Sequence, residues 1–248
     1  MLRVRDLHAG YGASHVLWGV ALEVGAGAVV ALLGRNGVGK STTLKAIIGL
    51  VPVRQGRVEL ETADGWRDVS ALPPWERAAL GIGYVPEERR IFSHLTVREN
   101  LRVGLDRLPL APRARQHALD RAFGLFPALA ELGDRPGRVL SGGQQQMLAI
   151  ARVLVLSPRI ILLDEPSQGL SPLLADSVMD AVDRLGREGI GILLVEQNAV
   201  AALDVCARAY LMDKGAIAAA GSAAELRADR ATLERTLGVS ADDMERGW

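Results

Sequence analysis

The 248-residue sequence predicts an α/β fold, with a mostly parallel sheet flanked by helices, an antiparallel β portion and a helical subdomain inserted in mid-chain. Three observations predict it. Short runs of Val, Ile and Leu alternate with longer helix-like stretches, as buried parallel strands and their crossover helices do. The strand signal vanishes after Val85 and returns only beyond Leu154. Asp213-Lys214-Gly215 separates two short apolar runs, the signature of a hairpin.

Taken in order, strands are expected over residues 2–7, 21–24, 29–33, 56–60 and 82–85. Helices over 97–105, 112–125 and 143–155, with caps and breakers between them, fill the strandless stretch. Strands return over 160–163 and 191–195, followed by the hairpin of 210–212 with 216–220, and 222–237 reads as closing helices. The expected division is a core from 1–87 and 156–248 and a helical subdomain over 88–155. No internal repeat or low-complexity tract is present.

Composition narrows the function classes. Lys+Arg and Asp+Glu both number 29, so no net field draws the chain to polyanions, and the Arg-rich stretch 107–121 reads as the polar face of a helix. No nucleic-acid partner is expected. A single cysteine, Cys206, cannot form an internal disulfide, and the first residues lack the apolar stretch of a secretory signal, which points to the reducing cytosol. Apolar runs such as 28–33 fall far short of the roughly 20 residues that span a bilayer, so a membrane role needs a partner. His8, His15, His94 and His117 lack metal-ligand spacing.

The chemistry is carried by three motifs. Residues 29–33 run into Gly34-Arg35-Asn36-Gly37-Val38-Gly39-Lys40-Ser41, a complete G-x-x-x-x-G-K-[ST] phosphate loop at a strand-to-helix junction. Glycines such as Gly34, Gly37 and Gly39 let backbone N–H groups, extending through Arg35, Asn36 and Thr42, wrap a polyphosphate. Lys40 reaches the β and γ phosphates, and Ser41 offers its hydroxyl to magnesium. Only three of the 29 basic residues are lysines, so Lys40 is not a generic positive charge. An apolar run ending in Asp164-Glu165 supplies the second motif: Asp164 as a Mg2+ ligand and Glu165 to polarise the attacking water. Third, Ser141-Gly142-Gly143-Gln144 opens a helix with an N-cap serine and two glycines that let an anion approach.

A phosphate loop, then LSGGQ, then an Asp-Glu strand about twenty residues later, with a helical insert between the first two, resembles the ATP-binding subunit of an ABC transporter. The resemblance covers nearly the whole chain and implies a P-loop NTPase core that binds ATP with Mg2+. It implies that Ser141, Gly142, Gly143 and Gln144 bind ATP held by a partner's phosphate loop, so that two subunits close head-to-tail, and that Tyr11 stacks on adenine. The partner is a second ATPase subunit or a second copy of the chain. Membrane-embedded permease subunits and, indirectly, a periplasmic substrate-binding protein complete the implied assembly, on the inner face of the plasma membrane. Phe92 and Leu95, at the entrance to the insert, are implied contacts for a short permease helix; local core is the other reading of this pair.

Within the family, YVPEERRIFSHLTVRENL (84–101), LLDEPSQGLSP (162–172) and LLVEQNA (193–199) are similar to the LivF-type ATPase of branched-chain amino acid importers. GASHVLWGV and LPPWERAALGIGYVP also resemble the ATPase of urea and short-amide importers. Glu87 favours the former, since the latter usually has Gln there.

Three positions depart from the general family pattern. Glu87 stands where a glutamine senses phosphate, magnesium and water, Gln197 where a histidine contacts the γ-phosphate, and Pro172 where an aspartate couples the two sites. Glu87 adds a candidate Mg2+ ligand, and Gln197 donates a neutral hydrogen bond. Both occur in the LivF class, and they suggest an unequal pair with a faster second ATPase. Two readings of other classes stay open: a soluble ABC-type assembly factor, and a non-hydrolysing ATP-gated subunit.

Overall fold

The computed structural model describes residues 1–238. Alternating burial along β1 (Leu2–Ala9) and β2 (Leu17–Val24), against complete burial along β3 (Val29–Leu33), separates two kinds of sheet at once. β1 and β2 join β4 (Val53–Thr62) and β5 (Gly65–Asp68) in an antiparallel sheet of order β2-β1-β4-β5. The second sheet has the order β10-β9-β3-β8-β7-β6, formed with β6 (Ile82–Val85), β7 (Ile160–Asp164), β8 (Gly191–Glu196), β9 (Arg208–Asp213) and β10 (Ala216–Ser222). All its pairings are parallel except β9 with β10, the expected hairpin.

The two faces of β3 build two cores. Val29, Ala31 and Leu33 pack with the helical side of the molecule, whereas Val30 and Leu32 pack with the antiparallel sheet and α1 (Lys40–Ile48). The phosphate-loop strand is thus sealed on both sides, and β8 and β9 flank it.

Helix α1 ends at Gly49 in the left-handed region (φ 88°), and its last carbonyls need donors. Arg77, on the short α2 (Pro74–Ala79), supplies them. Its Nη1 donates to the Ala46 and Ile47 carbonyls at 2.8 Å each, while Nε and Nη2 reach Leu72 and Ser70 oxygens at 2.8 and 2.6 Å. Burial lowers the Arg77 pKa, the Asp68 charge opposing it. Arg77→Ala strips this buried donor set, and by the cost of orphaned buried groups stability falls by about 3–5 kcal/mol. Thermal unfolding of the variant checks this, with a drop of roughly 6–20 °C expected.

Between β6 and β7 lie α3 (Val97–Leu105), α4 (Pro112–Leu125), α5 (Pro127–Glu131), a 3-10 turn at Gly137–Val139, and α6 (Gly142–Leu154), with, among the described residues, a single antiparallel bridge between Thr96 and Pro136 and no strand. Thr96 and Glu99 cap α3 reciprocally. The unit meets the core through Gly143, where an added Cβ would lie 2.6 Å from the Leu174 side chain on α7 (Pro172–Arg187), and through an Arg121–Glu188 ion pair at 2.8 Å. The chain continues through α8 (Ala199–Val205), α9 (Ala223–Ala228) and α10 (Arg230–Leu237). Among the described residues no helix is long and apolar enough to cross a membrane.

The structure differs from the sequence expectation in detail. β2 starts four residues earlier than residue 21, with Gly19 in the left-handed region (φ 69°) and irregular register against β1. β5 is unexpected, because its four residues are exposed and carry no alternation. The stretch 239–248, which closes the expected core segment, lies outside the described residues.

Candidate active site

Register brings the C-terminal ends of four parallel strands to one edge: Leu33 pairs with Glu196, Val195 with Asp164, and Leu163 with Val85. Crevices at such an edge are where α/β folds hold ligands. The chain leaves β3 through Gly34, where an added Cβ would lie 2.6 Å from the Met212 carbonyl oxygen, and turns into α1 at Gly39 (φ 113°). No side chain caps α1, so its first N–H groups, from Lys40 onward, point into the crevice.

There they line a cavity of about 270 Å³ with Asn36, Gly37, Gly39, Ser41, Thr42, Glu87, Glu165 and Gln197. The sequence singled out every one of these residues; Gln168, which also lines it, was not anticipated. Gly34 and Arg35 line an adjoining groove of about 850 Å³ that shares Glu165 and Gln197.

Lys40 is 3% exposed and fully engaged: its Nζ donates to the Gly34 and Arg35 carbonyls at 2.8 and 3.2 Å and pairs with Glu165 Oε1 at 3.3 Å. Gln197 Nε2 donates to the other Glu165 oxygen at 2.7 Å. Glu165 is thereby held in a left-handed backbone (φ 49°) that a glutamate adopts only when its surroundings impose it. Ser41 Oγ donates to Asp164 Oδ1 at 2.8 Å and the Tyr84 hydroxyl to Oδ2 at 3.1 Å. Burial raises the Asp164 pKa, although both hydroxyls and the Lys45 charge oppose it. Burial likewise raises that of Glu87, reinforced by the charges of Glu165 and Asp164. The crevice is therefore rich in carboxylates waiting for positive charge.

Two further residues support the site and were invisible in the sequence. Tyr84 is anchored on Asp164, and burial is the first cause that pushes its hydroxyl pKa up. Glu196 is 2% exposed and accepts backbone N–H groups from Ser167 at 2.9 Å and Gln197 at 3.2 Å.

Other predicted residues lie apart. Tyr11, 49% exposed, and Ser141 to Gln144 line neither cavity. Ser141 caps α6, accepting the Gln144 N–H while its own N–H donates to Gln144 Oε1 at 2.9 Å; Gly142 sits under the Arg89 guanidinium. Phe92 is exposed beneath Arg152, 4.4 Å from ring centroid to guanidinium, and Leu95 is half-buried. Buried Asn100 pins their loop by bonding Phe92, Leu95 and Thr96. The histidines are not all scattered, since pairing of β1 with β2 sets His8 Nδ1 3.2 Å from His15 Nε2, and His8 also reaches Asp6. Among the described residues no group of three or more His, Cys, Asp or Glu forms a metal cluster. Cys206 is buried, and burial pushes its thiol pKa up to about 11.

The donor set fits a nucleoside triphosphate with a hard divalent cation. Ser41, which lines the cavity, and Asp164, hydrogen-bonded to it at 2.8 Å, bring two oxygen ligands side by side, and Lys40 with the N-terminus of α1 lines the same cavity. Fold and site together define a phosphate-loop ATPase.

Comparison with known proteins narrows this class. The ABC transporter family profile matches residues 17–168, and the chain belongs to that family. It is 39% identical to a probable branched-chain amino acid transport ATP-binding protein LivF of Archaeoglobus fulgidus, over 91% of this chain and 94% of that protein. It is 37% identical to the lipopolysaccharide export system ATP-binding protein LptB of Acidithiobacillus ferridurans, covering 96% and 97% of the two chains. The crystal structure of a nucleotide-free ATP-binding cassette from an ABC transporter superposes with a TM-score of 0.82 at 27% identity, covering 97% of this chain and 99% of that one. The chain is an ATP-hydrolysing subunit of the ABC type.

Proposed function

We propose that this chain energises a membrane permease for branched-chain or other hydrophobic amino acids, working on the cytoplasmic face as one of two paired ATPase subunits. The observation that carries the ATPase part is the convergence of Lys40, Ser41, Asp164, Glu165 and Gln197 on one crevice. The amino acid reading is supported by the likeness to LivF, to BraG of Pseudomonas aeruginosa at 39% identity, and by Glu87 and Gln197, which match the LivF class. The likeness to LptB makes lipopolysaccharide export the second reading.

In the mechanism, the N–H groups of α1 and the phosphate loop bind the β and γ phosphates of ATP, and Lys40 exchanges its contact with Glu165 for the phosphate. Ser41 and Asp164, with Glu87 in reach, would hold Mg2+, which neutralises phosphate charge. Released from Lys40, Glu165 orients the attacking water and takes its proton, while Gln197 keeps the carboxylate in place with one neutral hydrogen bond. Ser141, Gly142, Gly143 and Gln144 present a helix N-terminus to ATP on the partner subunit, and Tyr11 stacks on adenine. Phe92 and Leu95, in the helical unit 88–155, receive a permease helix. ATP closes the pair and hydrolysis reopens it.

Affinity capture of the tagged chain from detergent-solubilised native membranes, with mass spectrometry of what co-purifies, tests this reading. Two integral-membrane subunits with a second ATPase are expected. Capture of lipopolysaccharide-export subunits would replace the amino acid assignment, and soluble partners alone would overturn the transport role.

A further inference from the structure

We infer that Glu196 is a positioning residue for hydrolysis: its buried carboxylate ties the turn that carries Glu165 to the strand end that carries Gln197. The inference rests on the proposed role of Glu165. Glu196 closes β8, opposite Leu33 at the point where β3 gives way to the phosphate loop. It is 2% exposed, and among the described residues no Lys, Arg or His forms an ion pair with it. A buried carboxylate without a cation is expensive to keep, and burial indeed raises its pKa.

What it does instead is accept two backbone N–H groups, Ser167 on Oε1 and Gln197 on Oε2, at 2.9 and 3.2 Å. These bonds flank the reacting carboxylate from both sides. Ser167 lies two residues beyond Glu165, and Gln197 is the residue whose side chain holds Glu165 Oε2 at 2.7 Å. The Glu165 N–H also donates to Val195, so the turn is sewn to the end of β8 along its length. The left-handed backbone of Glu165 needs such external fixing. A carboxylate suits the task because it accepts through both oxygens, whereas an amide presents one acceptor and one donor. Glu196→Gln therefore sets an NH2 group against a backbone N–H and loosens the turn without changing its volume.

The test compares Glu196→Gln, Glu196→Asp, Glu165→Gln and the double variant Glu165→Gln with Glu196→Gln in the full chain. For Glu196→Gln, kcat falls by about 10²-fold, the cost of a misplaced reacting group, while KM for ATP stays within about threefold because Lys40 and α1 are untouched. Glu196→Asp, which keeps two acceptor oxygens, recovers part of that loss. The double variant is no slower than Glu165→Gln alone, since both act through one group. Full turnover in Glu165→Gln would break the reading beneath this one. Loss of turnover in Glu165→Gln with kcat of Glu196→Gln within about twofold of the parent would overturn the positioning role alone. A second readout needs no turnover: in nucleotide-free protein, amide exchange at Ser167 and Gln197 rises about tenfold in Glu196→Gln while that of α1 is unchanged. Unaltered exchange at both amides would equally overturn it.

Discussion

Glu165→Gln cuts ATP turnover by roughly 10²–10⁴-fold while leaving ATP binding intact, the span by which a positioned general base accelerates a reaction. The substitution keeps the contact with Gln197, from which the new amide oxygen still accepts, and keeps the side-chain volume, but it gives up the ion pair with Lys40. The ability to draw a proton from water is lost with that ion pair. Binding survives because the α1 N–H groups and Lys40 hold the phosphates, and Lys40 no longer has a carboxylate to compete for it. Single-turnover hydrolysis, with ATP affinity measured separately, checks this. Unchanged turnover would remove Glu165 from the chemistry. Within a complex holding a second ATPase, the residual turnover of Glu165→Gln measures the partner's share, and near-total loss would exclude an unequal pair in which the partner dominates.

Lys40→Ala has the opposite signature, because it removes the charge that meets the phosphates. Charge-assisted hydrogen bonds contribute about 1.5–3 kcal/mol each, so ATP affinity drops by roughly 10–150-fold and turnover falls with it. The variant also strands Glu165 in the nucleotide-free protein, since its Oε1 loses its only ion-pair partner among the described residues. Lys40→Arg does not rescue: a 3%-exposed site enclosed by the Gly34 and Arg35 carbonyls accepts a compact ammonium, not a planar fork. Equilibrium nucleotide binding checks both variants, and wild-type affinity in Lys40→Ala would sink the assignment.

Sequence reveals the site wherever its chemistry is contiguous. The phosphate loop is legible because glycines, lysine and hydroxyl must follow one another to wrap one anion, and Asp164-Glu165 because a buried apolar strand ends on them. Tyr84, Arg77 and Glu196 are not legible for one shared reason. Each acts on a partner distant in sequence, and Arg77 and Glu196 act on backbone groups, which have no residue identity to read. His8 and His15 look unrelated until strand pairing folds them together. β5 escapes because an exposed edge strand needs neither alternation nor apolar side chains. The expected capping of α6 by Ser141 was readable, since N-caps are local.

The flanking of β3 by β8 and β9 has a consequence for biosynthesis. The ribosome delivers the nucleotide-binding strand early, yet its two neighbours end at Glu196 and Asp213, 163 and 180 residues after Leu33. At ordinary elongation rates the nascent chain waits about 10–40 s with both edges of that strand bare. During this interval the antiparallel sheet and α1 can cover only one face of it. Contacts so distant in sequence make assembly of the central sheet slow, and they leave newly made chains dependent on protection from edge-to-edge association until the final hairpin emerges.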